Sequence, residues 1–179
     1  NVKALLFIVP VICIIMLAVA AWSGIAAAQD VGLTPNETLG KSIFFDENLS
    51  INQNQSCATC HDPAWGWTGP DSAINGAGSV YEGSIAGKFG DRKPPSAAYA
   101  TQSPIFQVDK KGLFVGGNFW DGRATGEALG NPAADQALGP FLNPVEQALA
   151  TPSAVVTRVC AAAYGDLFTE VWGPEVCDP

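Results

Sequence analysis

Hydrophobic and polar positions divide this chain into three patterns. The first is an unbroken apolar run. No residue from Ala4 to Gln29 is charged, and Leu5 to Val19 is almost wholly apolar. About 20 apolar residues span a bilayer as a helix, and residues 4–23 meet that requirement. The second pattern is helical. Thr34-Pro35-Asn36-Glu37 reads as an N-cap, a proline at the first helical position and an acid three after the cap, with Leu39, Ile43 and Phe44 on the helix that follows. Thr151-Pro152 repeats that start, and Val155, Val156, Val159 and Ala163 carry the clearest helix to Tyr164-Gly165. Asp166 is the expected cap of a last helix through Leu167, Phe168 and Val171.

The third pattern is an absence of period. Gly66 to about Pro95 is rich in Gly, Ser and Pro and reads as loop. Long ordered loops of this kind are often functional. Shorter helical pieces are predicted at residues 55–61, Ser96–Ala100, Thr125–Leu129, Ala133–Leu138 and Pro144–Ala150, with a hairpin or turn at Phe114–Phe119. No segment alternates like a strand over any length, and there are no internal repeats. The expected fold is mostly α and loop-rich, preceded by one N-terminal transmembrane helix.

The apolar segment admits two readings. Lys3 before the run and Ala26-Ala27-Ala28 after it resemble a cleaved secretory signal. The same residues suit an uncleaved anchor with Lys3 on the cytoplasmic side. We take the anchor, residues 1–29, as the expectation, with residues 30–179 as one domain on the periplasmic side of the inner membrane. Pro10 is tolerable there as a kink. Beyond Lys3 the chain carries eight Lys and Arg against 17 Asp and Glu, a net of −9. That balance argues against nucleic acid, which wants a basic face, and it is compatible with a basic electron-transfer partner.

Chemistry enters at Cys57-Ala58-Thr59-Cys60-His61. This is C-x-x-C-H, the attachment sequence of a c-type haem. Two thiols add across the porphyrin vinyl groups, and the next residue places an imidazole under the iron. A redox dithiol would be expected in a βαβ setting that the pattern does not offer. A zinc site needs further ligands, and His61 is the only histidine in the chain. One covalent haem is therefore expected, on a c-type cytochrome fold in which the cofactor serves as much of the core. A low-spin carrier usually has a second His or Met on its iron. The only methionine is Met16, within the apolar run, so an iron open on one side is expected. Cys160 and Cys177 are not used by the haem and remain either a disulfide pair, which an oxidising compartment allows, or two separate thiols.

Leu39-Gly40-Lys41-Ser42-Ile43-Phe44-Phe45-Asp46, Ser56-Cys57-Ala58-Thr59-Cys60-His61-Asp62-Pro63, Arg92-Lys93-Pro94-Pro95-Ser96, Asn118-Phe119-Trp120-Asp121-Gly122-Arg123-Ala124, Gln136-Ala137-Leu138-Gly139-Pro140 and Asn143-Pro144-Val145-Glu146 follow one another in the chain. In that order they resemble the N-terminal, peroxide-reacting haem domain of bacterial dihaem cytochrome c peroxidases and their MauG-like relatives. The resemblance implies His61 as iron ligand, Cys57 and Cys60 as thioether anchors, and Gln136 and Glu146 as a distal-pocket pair. It implies Trp120 as a relay toward a second haem. Its activity would be reduction of H2O2 with electrons from a second haem protein or haem-bearing subunit. The chemistry agrees: cleaving the O–O bond needs a base for one proton and an acid to return it, which one carboxylate supplies. An amide such as Gln136 can orient the oxidant. Outside the resemblance, Glu146 also suits a helix start after Asn143-Pro144 as a surface carboxylate. Arg123 suits a haem propionate or, equally, a salt bridge to Asp121. Trp65 and Trp67 read as packing at the haem edge.

The departures matter as well. The family's second C-x-x-C-H domain is absent from this sequence, and the Gly66–Pro95 loop has no histidine to gate the iron. Lys93 stands where the family commonly has Asn, which puts its interdomain calcium site in doubt here. Three functions remain open: a peroxidase-type domain, a non-catalytic electron-transfer subunit of a larger membrane complex, and an assembly protein stabilised by its haem.

Overall fold

The structure is a computed structural model that describes residues 32–178. The anchor expected at residues 1–29 lies outside the described residues. Among those described, no helix is long and apolar enough to cross a membrane.

Thr34 opens α1, Pro35–Phe45, with the reciprocal capping box its sequence predicts: its hydroxyl oxygen accepts from Glu37 N–H while the Glu37 carboxylate accepts from Thr34 N–H at 2.8 Å. A 3-10 turn, Glu47–Leu49, follows, and α2, Cys57–Cys60, is the single turn that holds the haem cysteines. After a long loop come α4, Pro132–Ala137, and α5, Gly139–Leu142. The chain closes on α6, Pro152–Ala161, α7, Gly165–Trp172, and a 3-10 turn at Pro174–Cys177. Thr151 caps α6 as expected, accepting from Ala154 N–H. Cys160 and Cys177 form a disulfide.

α1 packs against α2 on one side and α7 on another, so the haem motif is braced through α1 by the C-terminal helices. α6 packs on α7 and on the Glu47–Leu49 turn. Arg158 of α6 reinforces that contact by donating to the carbonyls of Asn48 and Ser50. Tyr164 donates to the Asp46 carboxylate at 2.5 Å, tying the α6–α7 corner to the end of α1.

Several local expectations are corrected. Asp166 does not cap α7; the N-cap position is Tyr164, and Asp166 lies in the first turn. The Gly66–Pro95 loop contains a short helix, α3, Ser72–Gly76, capped by Asp71. Ser96–Ala100 is not a helix. Its donors are drawn to residues 66–67, Ser96 Oγ to Gly66 O and Ala97 N–H to Trp67 O, and Tyr99 adopts φ +61° before a 3-10 turn at Ala100–Gln102. Thr125–Leu129 is not a helix either. Gly126 and Leu129 donate their N–H groups to the Asp135 carboxylate, which folds this segment onto α4. Gly126 is required there, because it has φ +85° and a Cβ would collide with Pro132. Phe114–Val115 does enter a hairpin, but as its second strand, antiparallel to Gln107–Val108 with Gln107 opposite Val115. Pro144–Ala150 forms turns rather than a helix.

The hydrophobic core is small. Among the described residues Leu39, Leu49, Tyr81, Ala124, Leu149 and Val159 are the buried apolar ones, while Trp65, Phe89, Tyr99, Phe114, Trp120 and Trp172 are more than half exposed. A chain of this length usually buries more. Much of the interior is instead the wall of a partly open cavity.

Candidate functional site: one cavity between the cysteine motif and the Glu146 turn

A cavity of about 530 Å³ opens between α1, α2, the loops at 90–97 and 118–123, and the segment from α4 to Gln147. Cofactor sites typically span roughly 300–1,000 Å³. Cys57, Cys60, His61, Trp120, Arg123, Gln136 and Glu146 all lie on its wall, whereas Trp65 and Trp67, expected as packing at the haem edge, are not among the residues that line it.

The cysteine side is built locally. Ser56 and Thr59 exchange hydrogen bonds across the start of α2, Ser56 N–H donating to Thr59 Oγ1 at 3.0 Å, which fixes the turn that spaces the two thiols. Both thiols are free, and burial pushes Cys57 up to about 11 and Cys60 up to about 12. Redox-active C-x-x-C thiols are lowered instead, so these cysteines lack the activation of a dithiol switch. His61 follows at the end of α2, its Nδ1 3.2 Å from the carbonyl oxygen of Trp67. That contact assigns the proton to Nδ1 and leaves Nε2 as the nitrogen available to a metal. Burial holds the imidazole below its ordinary value, in the neutral form a metal requires, against the opposing pull of the Trp67 and Pro95 carbonyls.

Trp67 is therefore a positioning group through its backbone. It has φ +62°, and its carbonyl also accepts from Ala97 N–H at 2.9 Å. Thr68 Oγ1 donates to Pro94 O at 2.6 Å, so residues 66–68 and 94–97 are stitched together behind the histidine. The Trp67 ring packs edge-on to Phe44 of α1, with ring centres 5.5 Å apart. Sequence reasoning took Trp67 for side-chain packing and missed the carbonyl, which no residue type signals.

The opposite wall depends on distant contacts. Glu146 sits in a turn with its N–H bonded to Asn143 O at 2.9 Å, and Ser84 N–H donates to Glu146 O at 2.8 Å. Gly83 presses against this turn so closely that a Cβ would overlap the Val145 carbonyl. The reading of Glu146 as a surface carboxylate at a helix start is thus corrected: there is no helix, and the side chain is half-buried on the cavity wall. Burial raises its pKa above the ordinary carboxylate value; an Asn143 amide bond of 2.7 Å and the Arg123 charge oppose the rise, and Asp91 adds to it. Gln136 projects from α4, whose start is fixed by Asn131 capping Ala133 N–H and by the Asp135 clamp. Its side-chain amide makes no hydrogen bond among the described residues, so it is free to meet an occupant of the cavity.

Arg123 pairs with Asp121 at 2.8 Å and lies 3.8 Å above the Phe119 ring. Both sequence alternatives for it remain compatible, since the paired guanidinium still borders the cavity. Trp120 is 64% exposed while lining the cavity, and its Nε1 donates to Lys93 O at 2.9 Å. It thus connects the interior to solvent.

The donor set fits a c-type haem. Two thiols, an oriented imidazole and an apolar wall face one space, with Arg92, Lys93 and Arg123 at its border for acidic substituents. Gln147 adds an independent sign: it is 2% exposed, lines the cavity, and neither polar atom of its amide has a partner. Leaving such a group unpaired costs about 1–3 kcal/mol, which an occupant with a polar edge or an ordered water would relieve.

Comparison with known proteins agrees with this geometry. The family model described as di-haem cytochrome c peroxidase matches residues 34–178. The methylamine utilization protein MauG of Paracoccus denitrificans is 41% identical over 141 residues, covering 78% of this chain and 35% of that protein. The cytochrome c551 peroxidase of Pseudomonas aeruginosa is 34% identical over 108 residues, 60% of this chain and 24% of that one. Among solved structures, the diheme peroxidase BthA from Burkholderia thailandensis superposes with a TM-score of 0.69 at 30% identity, covering 82% of this chain and 37% of that chain. The matched part of the chain thus spans between about a quarter and just over a third of the length of these relatives. The family is di-haem, whereas this sequence has one C-x-x-C-H motif. From motif, fold and cavity together, the chain belongs to the di-haem cytochrome c peroxidase family.

Proposed function

We propose that this chain is the peroxide-reacting haem domain of a peroxidase system, carrying one covalent haem c and reducing H2O2 with electrons from a second haem protein or haem-bearing subunit. The observation that carries the proposal is the convergence of His61, Glu146, Gln136 and Trp120 on the cavity that holds the two thiols. When bound, haem supplies the iron that meets the oxidant and passes electrons to it.

The residues have distinct tasks in this reading. Cys57 and Cys60 would fix the cofactor, and His61 Nε2 would ligate its metal. Glu146 takes a proton from one peroxide oxygen and delivers it to the other, which leaves as water. The net change is H2O2, two electrons and two protons to two waters, with both electrons drawn from the partner. The raised pKa of Glu146 suits this exchange, because a carboxyl nearer neutrality both accepts and returns protons readily. Gln136 orients the oxidant by hydrogen bonding, and Arg123 holds a propionate. Trp120, open to solvent and on the cavity wall, is the route for electrons from the partner. The same exposed tryptophan favours a second reading, in which the chain only relays electrons within a membrane complex.

Glu146→Gln separates the two. It keeps size and hydrogen bonding but removes the proton acceptor. Reaction of the reduced protein with H2O2 should slow by about 10²–10⁴-fold, with the reduced spectrum unchanged and Gln136→Ala costing less. A variant as fast as the parent leaves electron transfer alone. Residues 1–29 are proposed as the anchor that places this domain on the periplasmic side of the inner membrane. Release of the protein from membranes by a carbonate wash would reject that placement.

A further inference from the structure

Glu146 does not hold its orientation by itself. Asn143 Nδ2 donates to Glu146 Oε1 at 2.7 Å, while Val145 N–H donates to Asn143 Oδ1 at 3.2 Å. The second bond decides the first. A backbone N–H must face the amide oxygen, so the NH2 group can only point at the carboxylate. The Asn143 backbone joins in, its carbonyl accepting from Glu146 N–H at 2.9 Å and Ala148 N–H at 3.0 Å. From outside, Gly83 and Ser84 press on the same turn, and Gln147 anchors its far end by accepting from Ile51 N–H at 2.8 Å.

We propose that Asn143 is a positioning residue for Glu146: its locked amide ties down one carboxylate oxygen and leaves the other as the single proton-handling atom turned to the cavity. The inference rests on the reading of Glu146 as the acid–base group. The arrangement has two consequences. The carboxylate presents one oxygen in one orientation, which is what a proton transfer at hydrogen-bond distance needs. An N–H donated to a carboxylate also favours its charged form, so Asn143 works against the burial that raises Glu146. The other groups acting on Glu146 come from separate segments. Arg123 favours its charge and Asp91 opposes it, the Cys57 and Cys60 sulfurs lie in its field, and Arg92 and Lys93 border the cavity. Replacing Asn143 alters none of these.

The test uses the haem-loaded protein and two substitutions. Asn143→Ala removes the donor. Asn143→Asp keeps the acceptor for Val145 N–H, and hence the turn, but replaces the donor by a second carboxylate whose charge adds to the upward shift, so the Glu146 midpoint should move further than in Asn143→Ala. The direct readout is the infrared carbonyl band of the protonated Glu146 carboxyl, identified by its loss in Glu146→Gln and titrated in the resting state. Its midpoint should move to higher pH in both variants. The reaction with H2O2 should fall by about 10-fold on the acid side of its profile and recover toward the parent as pH rises. A structural defect alone would lower the rate equally at every pH and leave the midpoint in place. A midpoint unmoved in variants with the parent haem spectrum overturns the proposal. Should Glu146→Gln react as fast as the parent, the acid–base role fails, and the infrared titration still decides whether Asn143 sets the state of Glu146.

Discussion

Pro152–Cys177 and Gly66–Gly130 are held in place by different means. The first is regular. α6 starts at a capped proline, packs on α7, and is closed onto the last turn by the Cys160–Cys177 disulfide. Arg158 and Tyr164 bind it to residues 46–50. The second has one short helix, one hairpin of two-residue strands, and residues such as Trp67, Ser79, Tyr99 and Phe119 in the left-handed region. Such positions cost energy unless their surroundings over-determine them, and they cluster at functional sites. The loop stretch contributes Lys93, Trp120 and Arg123 to the cavity, whereas the helical stretch contributes no residue to it. The helical region carries its own stability. The loop region contributes to the wall of the cavity, and its order is expected to depend on what fills that space.

The largest effect expected from this contrast follows removal of the haem. In Cys57→Ala/Cys60→Ala, amide exchange across residues 66–130 should accelerate by about 10²-fold or more, and across α6 and α7 far less. Equal acceleration in both would break the contrast. The reciprocal arm is Cys160→Ala/Cys177→Ala. A disulfide closing a loop of this size, with a sequence separation of 17, contributes about 3 kcal/mol. Its loss should lower the melting temperature and loosen α6 and α7, while the haem spectrum and peroxide reaction persist.

How much of this was legible in the sequence follows the same division. Thr34 and Thr151 announce their helices because a cap, a proline and the first turn lie within four residues of one another. C-x-x-C-H is local in the same way, so the expectation of a haem, with His61 as its ligand, needs no distant contact. Pro144–Ala150 could not. Its Val, Glu, Gln, Leu and Ala content suits a helix, but the Asn143 carbonyl takes the N–H of both Glu146 and Ala148, Ala148 turns to φ +60°, and Ile51 and Ser84 bind the backbone from about a hundred and about sixty residues away. Tertiary contacts override composition there. Thr125–Leu129 failed similarly, through the Asp135 carboxylate. Glu146 was a candidate only through the family resemblance, and its place on the cavity wall became visible only with those distant contacts. Asn143 carried a faint signal, since Asn before Pro often starts a turn that its own side chain closes. Gln147 carried none.

The smallest expected effect has the opposite sign, which makes it informative. Glu146 has a folded-state pKa above its unfolded value because burial disfavours its charge. Below the unfolded value the carboxyl is protonated in both states and exacts no penalty. As pH rises from there through the raised folded value, the unfolded chain has already released its proton while the folded chain must be made to, so stability falls. Above the folded value the full penalty remains. Glu146→Gln should therefore raise the melting temperature at neutral pH, by about 2 °C, and the gain should fade as pH is lowered toward the ordinary carboxylate range. The same substitution slows the proposed reaction by orders of magnitude. A replacement in α6 or α7 that removed a comparable contact would do the reverse, lowering stability and sparing the chemistry. Thermal melts of the holoprotein across pH, parent against Glu146→Gln, check the sign. A loss of stability at neutral pH would mean that the charged Glu146 is held by its partners more firmly than burial opposes it, and the turn would then belong with the self-supporting half of the molecule.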